Sequence, residues 1–166
     1  MRKAKEKARV SARSLLLYFI ILAVCASLFS CGEAQKSCSE ELGILLGDTV
    51  LPVGETYVCG AEEASEGYLS PDTARALYGE DAGEILALCE DFAIFVSSRP
   101  NPFEAAVFRC YSASDCDRVA AMLLSRINEV QIALRSTSIA GAYDTAEVTV
   151  RGRTVMMRGG VQNISK

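Results

Sequence analysis

The sequence contains no histidine. That absence removes the usual nucleophile–base pairs, since neither a Ser-His-Asp triad nor a Cys-His dyad can be assembled within one such chain. Lysine is too scarce to replace the imidazole: from Cys31 onward only Lys36 and Lys166 occur. No C-x-x-C is present, so a tetrahedral zinc site would have to gather thiolates and carboxylates from unrelated places. Phosphate-cradling glycine loops are also missing, and Gly152, Gly159 and Gly160 read as turn punctuation. No metal or other cofactor is expected.

Positive charge is short in supply too, once the chain is divided. The whole sequence has a net charge of −4, yet from Cys31 onward eleven Lys plus Arg face twenty Asp plus Glu, a net −9. Nucleic acid binding needs clustered cations to displace counterions, so it is excluded as an expectation. Anionic headgroups are an equally poor docking surface for such a chain. Acidity of this kind serves solubility.

What is present begins with a basic leader. Arg2, Lys3, Lys5, Lys7, Arg9 and Arg13 stand against a single Glu6, which holds this end on the cytoplasmic side of a membrane. The apolar run behind it, Leu15 to Ala26, is twelve residues, or fifteen if it continues through Ser27 to Phe29. A spanning helix needs about twenty, so a signal-peptide core fits better than an uncleaved anchor that happens to contain Cys31. The core closes on "LFSC", Leu28 to Cys31, followed by Gly32. This resembles a lipobox, with Phe29 where a small residue is common, and it implies cleavage before Cys31 and lipidation of its sulfur. One acyl chain anchors only marginally, whereas the two of a diacylglyceryl group anchor stably. The expected organisation is a signal peptide over 1–30, a lipidated tether over 31–45, and one domain over 46–166 at the outer face of the membrane.

Cys38, Cys59, Cys89, Cys110 and Cys116 follow the lipidated position. An exported location permits disulfides, but five is an odd number and the spacing selects no pairing. Most of these thiols read as small buried hydrophobes.

Along the domain, "DTVLPVGETYVCG" is an irregular or edge strand, interrupted by Pro52 and Gly54. Ser70 caps and Pro71 starts a short helix that Gly79 stops near Tyr78. Two apolar runs, Leu88 to Ser97 and Phe103 to Tyr111, flank the breaker "SRPNP" and have two apolar faces, as central strands do. Val119, Leu123, Ile127, Val130 and Leu134 form one helical stripe from Ser114 to about Arg135, with Arg126 largely off it and Ser114–Asp117 resembling a capping box. "TAEVTVRGRTVMMRGG" reads as a hairpin around Arg151-Gly152. The expected fold class is α+β: a small antiparallel sheet of about four strands covered by one long amphipathic helix, plus a short helix.

The lipobox, "YLSPDTARALYG", "FAIFVSSRPNPFEAAVFRC", "RINEVQIAL" and "AEVTVRGRTVMMRGG" together resemble the small bacterial lipoproteins catalogued as domain of unknown function 4358, over about Gly67 to Gly160. The resemblance implies this fold and a surface location. It assigns no catalytic residue.

Chemistry-bearing side chains are then few. Glu90-Asp91 is a carboxylate pair, but neighbours on a strand face opposite ways. Glu104 opens the second strand, where an edge charge or turn contact is expected. Arg151 and Arg153, with Arg158 nearby, form the one basic cluster of an acidic domain, and alternation sends the first two to one face. They are candidates for contact with an anion or a partner, or for blunting an edge strand. Two function classes remain: a non-catalytic, lipid-anchored binding or structural module contacting an envelope protein or glycan, and a surface hydrolase or ligand-binding enzyme that uses carboxylates alone. Convergent desolvated carboxylates in a concavity distinguish the second.

Overall fold

The computed structural model describes residues 35–98 and 102–160. The leader, Cys31 and the centre of the "SRPNP" breaker lie outside them. The chain order is α1 (Cys38–Leu46), β1 (Gly54–Val58), α2 (Pro71–Tyr78), α3 (Ala82–Leu86), β2 (Cys89–Ser97), β3 (Phe103–Cys110), α4 (Asp115–Leu134), β4 (Glu147–Arg151) and β5 (Thr154–Gly160). The five strands form one antiparallel sheet in the order β1-β2-β3-β5-β4. The class is α+β, with five strands rather than four because the irregular segment before Gly60 does pair, along β2.

The apolar runs on β2 and β3 are central strands, as two-faced apolarity requires. On one face Ile94, Ala106, Phe108, Val155 and Met157 meet α2, α3 and the stripe of α4, whose Val119, Met122, Leu123 and Ile127 are buried. On the other face Ala93, Phe95, Phe103, Ala105 and Val107 meet Cys38 and Leu42 of α1. The sheet therefore has helices on both faces.

Local signals set most element ends. Ser70 Oγ accepts from the Thr73 amide at 3.1 Å with Pro71 in the first turn, so α2 starts where its cap dictates. The start of α4 differs from expectation. Ser114 makes no capping bond; Ser112 Oγ accepts from the Asp115 amide at 3.3 Å while Asp115 accepts from the Ser112 amide at 3.1 Å, a reciprocal box two residues earlier.

The larger correction concerns the tether. Residues 38–45, expected within it, belong to α1. Ser37 Oγ accepts from the Glu40 amide at 3.2 Å and Glu40 Oε2 accepts from the Ser37 amide at 2.8 Å, a capping box. Leu42, Leu45 and Leu46 follow Cys38 at helical spacing and pack on the sheet. The polar, small-residue composition of this stretch hid a one-sided apolar stripe.

Candidate functional site

Two buried charge clusters, one exposed ion pair and one open surface hold the candidate side chains among the described residues. The first cluster centres on Glu104, which is 0% exposed. It is not an edge charge, because β3 is the middle strand of the five. Its Oε2 pairs with Arg126 Nε at 3.0 Å and its Oε1 accepts from Tyr78 Oη at 3.1 Å. Burial pushes the Glu104 carboxyl pKa up, against the pull of Arg126. Burial, with Glu104 beside it, also raises Tyr78 and Tyr143. Arg126, expected off the stripe, instead lies where α4 meets the sheet. Its signal was legible: a charge at position 126 sits between Leu123 and Ile127, and a carboxylate inside "PFEAAVF" demands a cation.

The second cluster lies on the α1 face around Arg109, 5% exposed. Arg109 Nη2 donates to Glu41 Oε1 at 2.7 Å and to the Lys36 carbonyl at 2.6 Å, and Nη1 lies 3.8 Å from Asp91 Oδ2. Asp91 also accepts from the Cys38 amide at 2.7 Å, so this cluster fastens α1 to β2 and β3. Burial first, then Asp91, pushes the Cys38 thiol up to about 12. Glu90 and Asp91 do point apart: Glu90 pairs with Arg153 at 3.0 Å at the sheet's other surface.

Arg151 and Arg153 are thereby separated. Gly152, at φ +60°, and Arg153 make a two-residue turn, which carries Arg153 out of the alternation. Besides Glu90, its guanidinium donates to the Cys110 and Tyr111 carbonyls, each at 3.3 Å. Arg151 stays in the strand opposite Thr154 and has no side-chain partner among the described residues.

Arg151 lines the open surface. α1 covers β2 and β3 but leaves the same face of β5 and β4 unpaved. A groove of about 610 Å³ results, lined by Ile44 and Leu45 of α1 and by Glu147, Thr149, Arg151 and Met156 of the hairpin, among others. Arg158, also in the groove, donates to the Leu45 carbonyl at 3.2 Å and to Thr49 at 3.0 Å. The groove is mixed in sign, since Glu41 and Glu147 share it with Lys36 and Arg151. Glu41 is engaged by Arg109 and Glu147 is exposed. Among the described residues no group of His, Cys, Asp or Glu converges as metal ligands would, and no helix is long and apolar enough to cross a membrane. Cys38, Cys89, Cys110 and Cys116 are buried thiols and Cys59 is exposed.

No family model, curated protein or solved structure matches this chain.

Proposed function

We propose that the chain is an extracytoplasmic lipoprotein of the domain of unknown function 4358 type, held to the membrane by a diacylglyceryl group on Cys31, and that its domain is a non-catalytic contact module of the cell envelope. The contact surface is the open end of the sheet, formed by β4 and the groove beside it. The observation that carries this reading is the fate of the carboxylates. Glu104 is saturated by Arg126 and Tyr78 and sealed under α2 and α4, while Asp91 and Glu41 are spent on Arg109. The acids of the groove are hydrated or paired, not the desolvated, convergent pair that acid–base chemistry needs. A groove of alternating sign with apolar patches suits a polypeptide or glycan surface better than a compact anion.

Two lipid chains confine the domain near envelope partners and raise their effective concentration. The test uses the tagged full chain in its native membrane. The Cys31 peptide is expected to carry a diacylglyceryl adduct by mass spectrometry, and Cys31→Ser to release the domain from lipid attachment. Mild cross-linking is expected to capture an envelope component that Arg151→Glu loses and Arg118→Glu, a change on the exposed side of α4, keeps. Turnover on glycan, peptide or phosphoester panels that disappears in Asp91→Asn or Glu147→Gln, with folding intact, would move the assignment to the carboxylate-only hydrolase.

A further inference from the structure

The two edges of the sheet are treated differently. Along β1 the chain folds back: the Val58 amide donates to the Gly67 carbonyl at 2.9 Å, and Gly67 lies so close that a Cβ there would stand 3.3 Å from the Thr56 carbonyl oxygen. Nothing comparable runs along β4 among the described residues. Among the described residues, no hydrogen bond outside the β4–β5 ladder reaches residues 147–151. In a two-residue hairpin the pair flanking the turn is hydrogen-bonded, here Arg151 with Thr154, and hydrogen-bonded pairs then alternate. Residues 147, 149 and 151 therefore point their peptide groups at β5, and Val148 and Val150 point theirs outward.

We propose that the β4 edge pairs with the β4 edge of a second copy of this chain, antiparallel about a two-fold axis at Thr149. The sequence Glu147-Val148-Thr149-Val150-Arg151 is self-complementary about its centre. In that register Thr149 faces Thr149, Glu147 faces Arg151 of the second copy, and Arg151 faces its Glu147. Val148 faces Val150, and these are the residues whose N–H and C=O groups are outward, so the hydrogen-bonding parity agrees with the charge pairing. Both charge pairs fall at non-hydrogen-bonded positions, where opposing side chains are closest. Val150, 47% exposed, gains an apolar neighbour on the α4 side. An edge guarded against pairing carries like charges that repel a second copy; opposite charges at symmetric positions do the reverse. The two grooves would join across the axis into one.

This inference rests on the reading of the open sheet end as the contact surface and names its partner. A five-residue edge buries less than a stable soluble dimer needs, so the pairing belongs to copies concentrated on one membrane. The test is therefore made on full chain in native membranes. Thr149→Cys, oxidised with copper phenanthroline and oxygen, is expected to give a disulfide-linked dimer, because opposed Cα atoms at such a pair lie within disulfide range. All chains carry Cys59→Ser to remove the exposed native thiol, and the Cys59→Ser parent and Glu55→Cys on the covered edge are expected to give no such dimer. Adding Glu147→Arg or Arg151→Glu singly is expected to weaken the dimer roughly tenfold, and adding both is expected to restore it. An unchanged melting curve shows that the variants fold. Absence of the Thr149→Cys dimer, or a dimer indifferent to the charge swap, overturns the proposal. A chain that stays monomeric yet captures an envelope component through Arg151 overturns self-pairing and leaves the contact surface intact. A chain that pairs as described but captures nothing else upholds self-pairing and removes the envelope partner.

Discussion

Each face of the sheet buries one arginine–carboxylate cluster, and the two faces bury opposite members of it. On the α4 face the acid is the deep group: the Glu104 side chain is 0% exposed and that of Arg126 18%. On the α1 face the base is deep: the Arg109 side chain is 6% exposed, while those of Glu41 and Asp91 are 26% and 27%. Water reaches the carboxylates of the second cluster and not the carboxylate of the first. Losing a partner should therefore cost more on the α4 face, since an orphaned Glu104 cannot hydrate. The layers differ in the same direction. α4 contributes five buried side chains and α1 two, so one helix completes the core and the other fastens a lid over β2 and β3.

The largest expected effect comes from breaking the α4 layer itself. Leu123 is fully buried, and Leu123→Asp is expected to abolish soluble folding, because an unpaired charge there adds to the loss of the side chain. The same change on the α1 face, Leu42→Asp, is expected to leave a folded domain with a lowered denaturant midpoint, because α1 can lift from the sheet while the α4 layer holds. A domain that tolerated both equally would erase the distinction between core and lid.

Next in size is the contrast of the two arginines. Arg126→Ala strands Glu104 and is expected to cost about 3–5 kcal/mol. Arg109→Ala frees carboxylates that water can solvate and is expected to cost about 1–3 kcal/mol. Urea titrations of the two variants decide the order, and the reverse order would mean that α1 carries more of the stability than its burial indicates. Glu104→Gln in the Arg126→Ala background should recover part of the loss, since it removes the stranded charge.

The smallest expected effect is on pH dependence. Burial raises the Glu104 carboxyl above its ordinary value of 4.5. The folded state then holds that proton more tightly than the unfolded chain, so its contribution is fully present below pH 4.5 and is lost as pH rises through the raised value. The stability of the wild type relative to Glu104→Gln is therefore expected to fall as pH rises from about 4 towards neutrality. A difference that instead grows with pH would show that Arg126 outweighs burial.

Several elements were legible because their causes are local. Ser70, Pro71 and Gly79 bracket α2 within ten residues, and the stripe from Val119 to Ile127 places α4 on a core without knowledge of what covers it. Alternation in "AEVTVRGRTVMMRGG" marks the last hairpin, although its turn is Gly152-Arg153, one residue later than expected. The candidate site was only half legible. Arg151 and Arg153 were found as a pair, but the Gly152 turn sends one to Glu90 and leaves the other in the groove.

By itself, then, the sequence determined the α+β class, the central strands and the last hairpin, two of the four helices among the described residues, and the acidic character of the chain from Cys31 onward, since capping, periodicity and charge act over a few turns or a few residues. The tertiary structure decided the rest. α1 has its own capping box and apolar stripe, but its seat on the sheet is fastened by distant groups: Arg109, 68 residues away in sequence, reaches Glu41, and Asp91 takes the Cys38 amide. Glu104 became a core residue because strand order put β3 in the middle and α4 brought Arg126 over it. Among the described residues the chain folds back on β1 and no segment does so along β4, which leaves the β4 edge open. These outcomes depend on which distant segments meet, and nothing within a window of twenty residues encodes that meeting.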